Sequence, residues 1–464
     1  MAESNFFILS SIAFFVSVFA YKLSEDRILP FFSSVALKIV AIHSFLMFFI
    51  GPISSFFYAN ISTVDNQDFN KKDLFNYSES ILIGVIWTIL FIVFFWVLNY
   101  LFYALFSSSI HFKKFKKSDY IQEIFNNIDK KINFFFIFSI LTFTLIIKVK
   151  SFLTGCSSSL SAFLNLDCQP SLLLSLSNLI YPTILNISCF LISARKTKLN
   201  QYILLFLILI NLLFLQLYGD RRSLEVLIIP YLAGSYIFDK FSWKNNSIIF
   251  IASFFILSLV SPYSELLGGS IYGGEEINYF SLFFEALGKY FSNIFYYLKK
   301  TFFEIGYSFD YTYINNAAIK LRQFVTRDIN CYPLIYSLNS VISRIFDVGV
   351  NFSVSTCNAE YLLFKQALVT SGEKPYLVNP GFAENITFGG YSLLIFDSII
   401  RGVFSAIFLY LFSLSNKPYS YLILISLISD MTLYFNSWHK LTYFLLIKFV
   451  MSFCIAKIIF LRFK

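Results

Sequence analysis

The chain has 464 residues, of which 57% are hydrophobic, 20% are aromatic and only 14% are charged. Soluble domains carry roughly a quarter charged residues, so this composition excludes an ordinary soluble protein. The net charge of +9 does not indicate a nucleic-acid partner, because basic residues in a membrane protein mostly mark its cytoplasmic loops.

Long, continuous apolar runs occur along most of the chain. A helix that crosses a bilayer needs about 20 mainly apolar residues, whereas barrel strands alternate over roughly ten residues. We therefore predict an all-α polytopic membrane protein with about eleven spans, within a range of about ten to twelve. The predicted spans are 5–21, 31–58, 80–106, 133–147, 171–194, 201–218, 224–238, 247–261, 391–412, 418–436 and 441–461.

The first two spans raise separate questions. The opening "MAESNFFILS" lacks the basic region and cleavage site of a signal peptide, so we expect a retained span. The second span contains Gly51-Pro52, and a break there would raise the count to about twelve.

Two basic loops predict the orientation. Residues 111–131 carry six lysines, and "RKTK" at 195–198 adds three basic residues. Placing both loops in the cytoplasm gives the inside segments about twice as many Lys and Arg residues as the short outside loops. This arrangement predicts an outside N-terminus and a cytoplasmic C-terminus.

Residues 219–223, "GDRRS", place two arginines at the predicted outer membrane edge. Arginine binds phosphate in a bidentate manner and stays charged, and Gly219 lets the backbone approach a ligand closely. Arg221 and Arg222 are therefore candidate diphosphate ligands. The alternative is ordinary contact with lipid headgroups.

The segment 262–390 is the largest predicted outside loop. In residues 278–300 a narrow polar stripe predicts an amphipathic helix at the membrane interface. A second, cationic helix is expected at 315–328. The predicted domains are thus 1–261, a membrane domain of about eight spans; 262–390, the loop; and 391–464, with about three spans.

Ionisable residues within spans are costly and indicate function by default. Asp397 and Arg401 are four residues apart and can pair on one helix face. Such a structural pair would explain these two alone, but not the shared depth of all the candidates in the outer half of the membrane. The candidate pocket charges are Glu225, Asp397, Arg401 and Asp430.

The cysteines form two pairs in predicted outside loops. Cys156 and Cys168 share one loop, and Cys331 and Cys357 share the large one. An oxidising compartment would allow two disulfides; the alternative is that all six cysteines are thiols. Only three histidines are present, without an HExxH or paired CxxC pattern, so we expect no metal.

These features resemble the oligosaccharide repeat-unit polymerases, the Wzy-type O-antigen polymerases of bacterial envelopes. Two local patterns add to the span number and the late loop: "GDRRS", similar to the family's glycine-arginine segment, and "PGFAENITFGGYSLLIFDSIIRG" (380–402). The second contains the acid, the Phe-Gly pair and the second glycine that lead into a span. These are Glu384, Phe388, Gly389 and Gly390.

The resemblance implies a C-type membrane glycosyltransferase fold in the bacterial inner membrane, with the large loop in the periplasm. It implies polymerisation of repeat units carried on undecaprenyl diphosphate into O-antigen or a similar surface polysaccharide, with release of undecaprenyl diphosphate. No nucleotide sugar or cofactor is needed. The expected partners are the lipid-linked glycans, membrane lipids, and a chain-length regulator and flippase in the same membrane.

Within that reaction, a general base must accept the proton of the attacking hydroxyl. Glu384 is the first candidate and Asp220 the second. Arg221 and Arg222 would stabilise the charge on the leaving diphosphate. Further arginines of the loop are candidate second contacts, each of which also suits a surface or structural role; they are Arg322, Arg327 and Arg344.

Two other classes fit parts of the sequence. A flippase for the same lipid-linked glycan would use the intramembrane charges, but it predicts repeated halves and short loops. An O-antigen ligase, another outer-face glycosyltransferase, shares the architecture, and His439 as its base would favour it.

Overall fold

A computed structural model of the chain is all-helical wherever it is described, without a strand in that part. The described residues are 2–26, 28–54, 78–106, 134–153, 183–190, 203, 205–211, 231, 247, 251–252, 254–256, 258–263, 266, 279–308, 381–413, 423 and 449–460.

Eight α-helices with defined bounds, one of them extended by a π segment, set out the described architecture. The second α-helix continues into the π segment Leu46–Ile50. They are α1 (Ala2–Ser24), α2 (Phe31–Phe45), α3 (Ser78–Phe106), α4 (Phe134–Leu153), α5 (Tyr279–Ser292), α6 (Ile294–Ser308), α7 (Gly381–Ser413) and α8 (Phe449–Phe460).

Four of these helices are long and apolar enough to cross a membrane, which confirms the class of helical membrane protein. They contain the stretches Asn5–Ser24, Phe32–Ser54, Ile81–Phe106 and Gly390–Tyr410, which match four predicted spans. Shorter apolar helices coincide with three more predicted spans: Phe135–Ile147, Phe254–Tyr263 and Phe449–Ile459. The other four predicted spans lie largely outside the described residues, so the total of eleven stays a prediction.

The second span continues through Gly51-Pro52 as far as the structure describes it, to Ser54. The amide of Gly51 donates to the carbonyl of Leu46, five residues earlier, in the π segment. Proline lacks an amide hydrogen and crowds the carbonyl four residues before it. We attribute the widened turn to this crowding, which the π segment relieves without ending the helix.

One compact unit comprises residues 1–117, 303–415 and 430–447, and α1, α2, α3 and α7 are its described helices. The α1 and α2 helices are antiparallel. Phe14 contacts Phe45 and Phe49, whereas the hydroxyl of Ser34 donates to the carbonyl of Ser24 at the opposite end. Aromatic rings therefore pack between the two helices away from the turn, and a hydroxyl hydrogen bond links the helices at the turn.

The α7 helix lies parallel to α3. Three contacts follow each other in the same chain direction along both helices: Tyr391 with Glu79, Asp397 with Trp87, and Tyr410 with Phe102. The α2 helix is antiparallel to α3. Phe48, in the π segment after α2, lies next to Gly84 near the start of α3. Asp26, before α2, accepts a hydrogen bond from the indole of Trp96, further along α3.

These directions agree with the predicted alternation of spans. The first, third and ninth predicted spans should cross in one direction and the second in the other, as α1, α3, α7 and α2 do. Five spans are predicted between residues 107 and 389, so the predicted alternation also makes the third and ninth spans parallel. Which end faces the periplasm stays a prediction.

The second compact unit comprises residues 118–302, 416–429 and 448–464. Within it, α4 contacts both α5 and α8. The α5 helix packs beside residues 254–263. The predicted domain boundaries at 261 and 390 separate the membrane domains from the outside loop. These boundaries stay a prediction.

Candidate functional site

The described residues contain three of the predicted site residues. Asp397 and Arg401 are described with their side chains, and Glu384 by its place on α7. The other predicted residues lie outside the described part, and their roles stay predictions. These are Asp220, Arg221, Arg222, Glu225, Arg322, Arg327, Arg344, Asp430, Cys156, Cys168, Cys331 and Cys357.

Asp397 and Arg401 form a buried ion pair on one face of α7. The Nε of Arg401 donates to Oδ1 of Asp397 at 2.8 Å, and the two side chains are 2% and 1% exposed. Residues four apart lie one above the other on a helix. The pairing expected from the spacing is therefore observed.

Trp87 of α3 completes this cluster. Its indole Nε1 donates to the second carboxylate oxygen of Asp397 at 2.9 Å, and the guanidinium carbon of Arg401 lies 5.9 Å from its ring centre. The contact with the ring adds a cation–π attraction. Trp87, Asp397 and Arg401 are called the charge clamp below.

The charge clamp is electrically compensated. Removing two charges from water costs several kcal/mol for each ion, on the order of the attraction that a good pair returns. Both oxygens of Asp397 accept hydrogen bonds from the clamp. This arrangement joins α3 to α7.

Glycine allows α3 and α7 to approach closely at Gly402, the residue that follows Arg401 of the clamp. A Cβ at Gly402 would lie 2.8 Å from the carbonyl oxygen of Phe91 and 3.3 Å from the amide nitrogen of Phe95. Small residues let helix backbones come together in a membrane, where packing drives association. The clamp and the glycine contact together hold the two helices in register.

At the other side of the clamp, α7 turns sharply at Gly390. This glycine has φ 69° and ψ −160°, so α7 comprises two helical segments, 381–389 and 391–413. A residue with a Cβ would be strained at this φ. The kink falls at the start of the predicted span 391–412.

The residue after the kink ties α7 to α3. The hydroxyl of Tyr391 donates to Oε1 of Glu79 at 2.5 Å, and both side chains are exposed. Glu79 lies in the first turn of α3, where a carboxylate suits the helix dipole. The segment 381–389 is the first part of α7 and carries Glu384. It meets the second part of α7 next to the contact between Tyr391 and Glu79.

Sequence reasoning did not single out Trp87 or Glu79. Trp87 is separated from Asp397 by 310 residues, and Glu79 from Tyr391 by 312. A usable signal at Trp87 is its indole N–H, which needs an acceptor when buried. This requirement does not identify which residue is the acceptor.

The described residues contain no candidate metal site and no disulfide. No group of three His, Cys, Asp or Glu residues there could hold a metal ion. Cys189 and Cys454 are free thiols. The two predicted cysteine pairs lie outside the described part.

No family model, no curated protein and no solved structure matches the chain. The resemblance to the Wzy-type polymerases therefore rests on the sequence patterns alone.

Proposed function

We propose that the protein is a membrane glycosyltransferase that polymerises oligosaccharide repeat units carried on undecaprenyl diphosphate. The reaction would take place at the periplasmic face of the bacterial inner membrane and would release undecaprenyl diphosphate. The product would be O-antigen or a similar surface polysaccharide.

The observation that carries this proposal is the arrangement around Gly390. A short helix bearing Glu384 enters a membrane-length helix through a left-handed glycine, beside Glu79 and Tyr391. Glu384 precedes the kink by six residues, or about 9 Å of helix. An acid near the end of a span would lie at the level of a lipid diphosphate, which supports the choice of Glu384 as the base.

The proposed reaction joins two lipid-linked glycans. A hydroxyl of the acceptor repeat unit attacks the anomeric carbon of the growing chain, and the bond from that carbon to the diphosphate oxygen breaks. Glu384 accepts the hydroxyl proton, with Asp220 as second candidate. Arg221 and Arg222 stabilise the departing diphosphate.

The charge clamp supports this proposal indirectly. It locks α7 against α3 at one position, and Tyr391 and Glu79 contact each other nearer the kink. A general base must be held within a fraction of an ångström of its working position. The rigid α3–α7 pair would provide that support, and Asp397 and Arg401 would act as positioning residues.

Lipopolysaccharide banding tests the proposal. The gene is deleted in its host and restored with the parent chain, Arg222→Ala, Glu384→Ala or Glu384→Gln. We expect the deletion to leave core carrying a single repeat unit, and the three variants to reproduce that pattern. Glu25→Ala is the matched control, because Glu25 forms only an exposed pair with Lys22.

The outcomes separate the alternatives. Loss of all O-antigen on deletion, single unit included, would overturn polymerisation and favour the flippase or the ligase. Full-length ladders from both Glu384 variants would remove Glu384 as the base, and Asp220→Asn would then be the next variant.

A further inference from the structure

The helical stretch formed by α5 and α6 has three different faces. The two helices meet at Asn293, whose amide donates to the carbonyl of Lys289 and whose carbonyl accepts from the amide of Tyr297. Both bonds link residues four apart, as in an uninterrupted α-helix. The faces of α5 therefore continue in phase into α6.

The first face packs against the protein. Its residues are buried and recur at helical spacing, and the hydroxyl of Tyr290 lies 2.9 Å from that of Ser258. The ring of Phe283 contacts Tyr263 in an edge-on arrangement. The residues of this face are Leu282, Ala286, Tyr290, Tyr297 and Thr301.

The second face is polar and narrow. Lys289 pairs with Glu285 at 3.1 Å, and both side chains are about half exposed. Ser292 and Lys299 continue this face towards α6, and both are exposed. Glu285, Lys289 and Ser292 belong to the polar stripe predicted from the sequence, together with the exposed Ser281 and Tyr296; Lys299 adds to it.

The third face is a row of exposed phenylalanines, the phenylalanine ridge: Phe284, Phe291, Phe295 and Phe302. Their side chains are 55%, 68%, 84% and 66% exposed. Spacings of seven, four and seven residues place them within about 20° of one line, over about 27 Å of helix. The ridge contains no hydroxyl or charge.

We propose that the phenylalanine ridge is embedded among the hydrocarbon chains of membrane lipids. A contiguous apolar row of this length is unusual on a surface facing water and indicates an interaction site. The neighbouring apolar helix Phe254–Tyr263 has an exposed Phe255, and Ile251, just before this helix, is also exposed. The ridge thus continues the apolar surface of a predicted span.

The polar stripe determines how this helix relates to the membrane. An interfacial helix keeps its charges at the headgroups while its apolar face enters the acyl region. The α5 and α6 helices therefore lie along the membrane surface, with Glu285 and Lys289 at the headgroups.

Photo-crosslinking tests this inference on the full chain. Benzoylphenylalanine replaces Phe291 or Phe295, and the protein is placed in nanodiscs of phosphatidylethanolamine and phosphatidylglycerol. After irradiation, mass spectrometry measures the lipid adducts. We expect several-fold more adduct at these two positions than with the same probe at Ser292, on the polar stripe, or at Tyr290, on the buried face.

Two results would overturn it. A dimer band in place of lipid adducts would assign the ridge to a second copy of the chain. Equal adduct levels at Phe291 and Ser292 would show that the ridge does not face lipid selectively. If the probe prevents folding, Phe291→Trp replaces it: brominated phospholipid should quench the fluorescence added by this tryptophan, and an absence of quenching also overturns the inference.

Discussion

At the scale of single residues, the charge clamp allows a direct test of what a buried ion pair does. Replacing Asp397 by Leu should lower stability by about 3–5 kcal/mol, because the guanidinium of Arg401 stays buried without its carboxylate. Replacing both residues by Leu should recover most of that loss, since no buried charge remains. The measurement is the thermal midpoint of the detergent-solubilised protein.

The controls separate structure from function. Glu25→Ala removes an exposed pair with Lys22 and should change stability by about 1 kcal/mol or less. A double variant as unstable as Asp397→Leu would contradict the compensation described for the clamp. A double variant that is stable but inactive would show that the pair takes part in the reaction.

The clamp also shows what a single residue reveals in a sequence. The spacing of Asp397 and Arg401 predicts their pairing, because four residues make about one helical turn. Trp87 could not be predicted as the third member, because the tertiary packing of α3 on α7 decides which indole reaches the carboxylate. Local spacing contains no information about that packing.

At the scale of helices, glycines set the distance between α3 and α7. Gly402→Ala should destabilise the protein by roughly 1–3 kcal/mol, because its Cβ would meet the backbone of Phe91. Gly84→Ala should destabilise the protein by a comparable amount, because its Cβ would overlap the ring of Phe48, which is fully buried and has no open space to move into. The thermal midpoints of the purified variants measure these losses of stability.

Gly288→Ala is the matched control for this series. Nothing lies within 4 Å of a Cβ at this exposed position of α5, so alanine should be neutral or stabilising by up to about 1 kcal/mol. Equal losses for all three substitutions would contradict close packing as the reason for the effect of Gly402→Ala.

Helix positions were more predictable than helix irregularities. Four membrane-length helices match predicted spans, because length and apolar composition suffice to identify them. The break considered at Gly51-Pro52 is replaced by a π segment, since a proline can be accommodated by widening the preceding turn as well as by ending the helix. Composition does not distinguish these solutions.

At the scale of the whole molecule, the predicted orientation can be tested by labelling from outside the cell. The predicted orientation places the turn after α1 in the cytoplasm and the start of α5 outside. A membrane-impermeant maleimide should therefore label Ser281→Cys in intact cells and leave Glu25→Cys unlabelled until the cells are opened. Both side chains are exposed.

The parent chain, with its own six cysteines, provides the background for this labelling. The opposite pattern would invert the orientation and move Gly390, Glu384 and the proposed reaction to the cytoplasmic side. The C-terminal "RFK" would then lie outside, against the distribution of basic residues.

The π segment of the second span has a consequence for comparing this chain with others. Its wider turn takes up about one extra residue, so side chains after Ile50 are rotated by about 100° relative to the pattern set by α2. A homologue without Pro52 would lack one residue in this segment. Its lipid-facing sides before and after the segment would then stay aligned. Alignments of this region should therefore allow a one-residue gap inside a continuous helix.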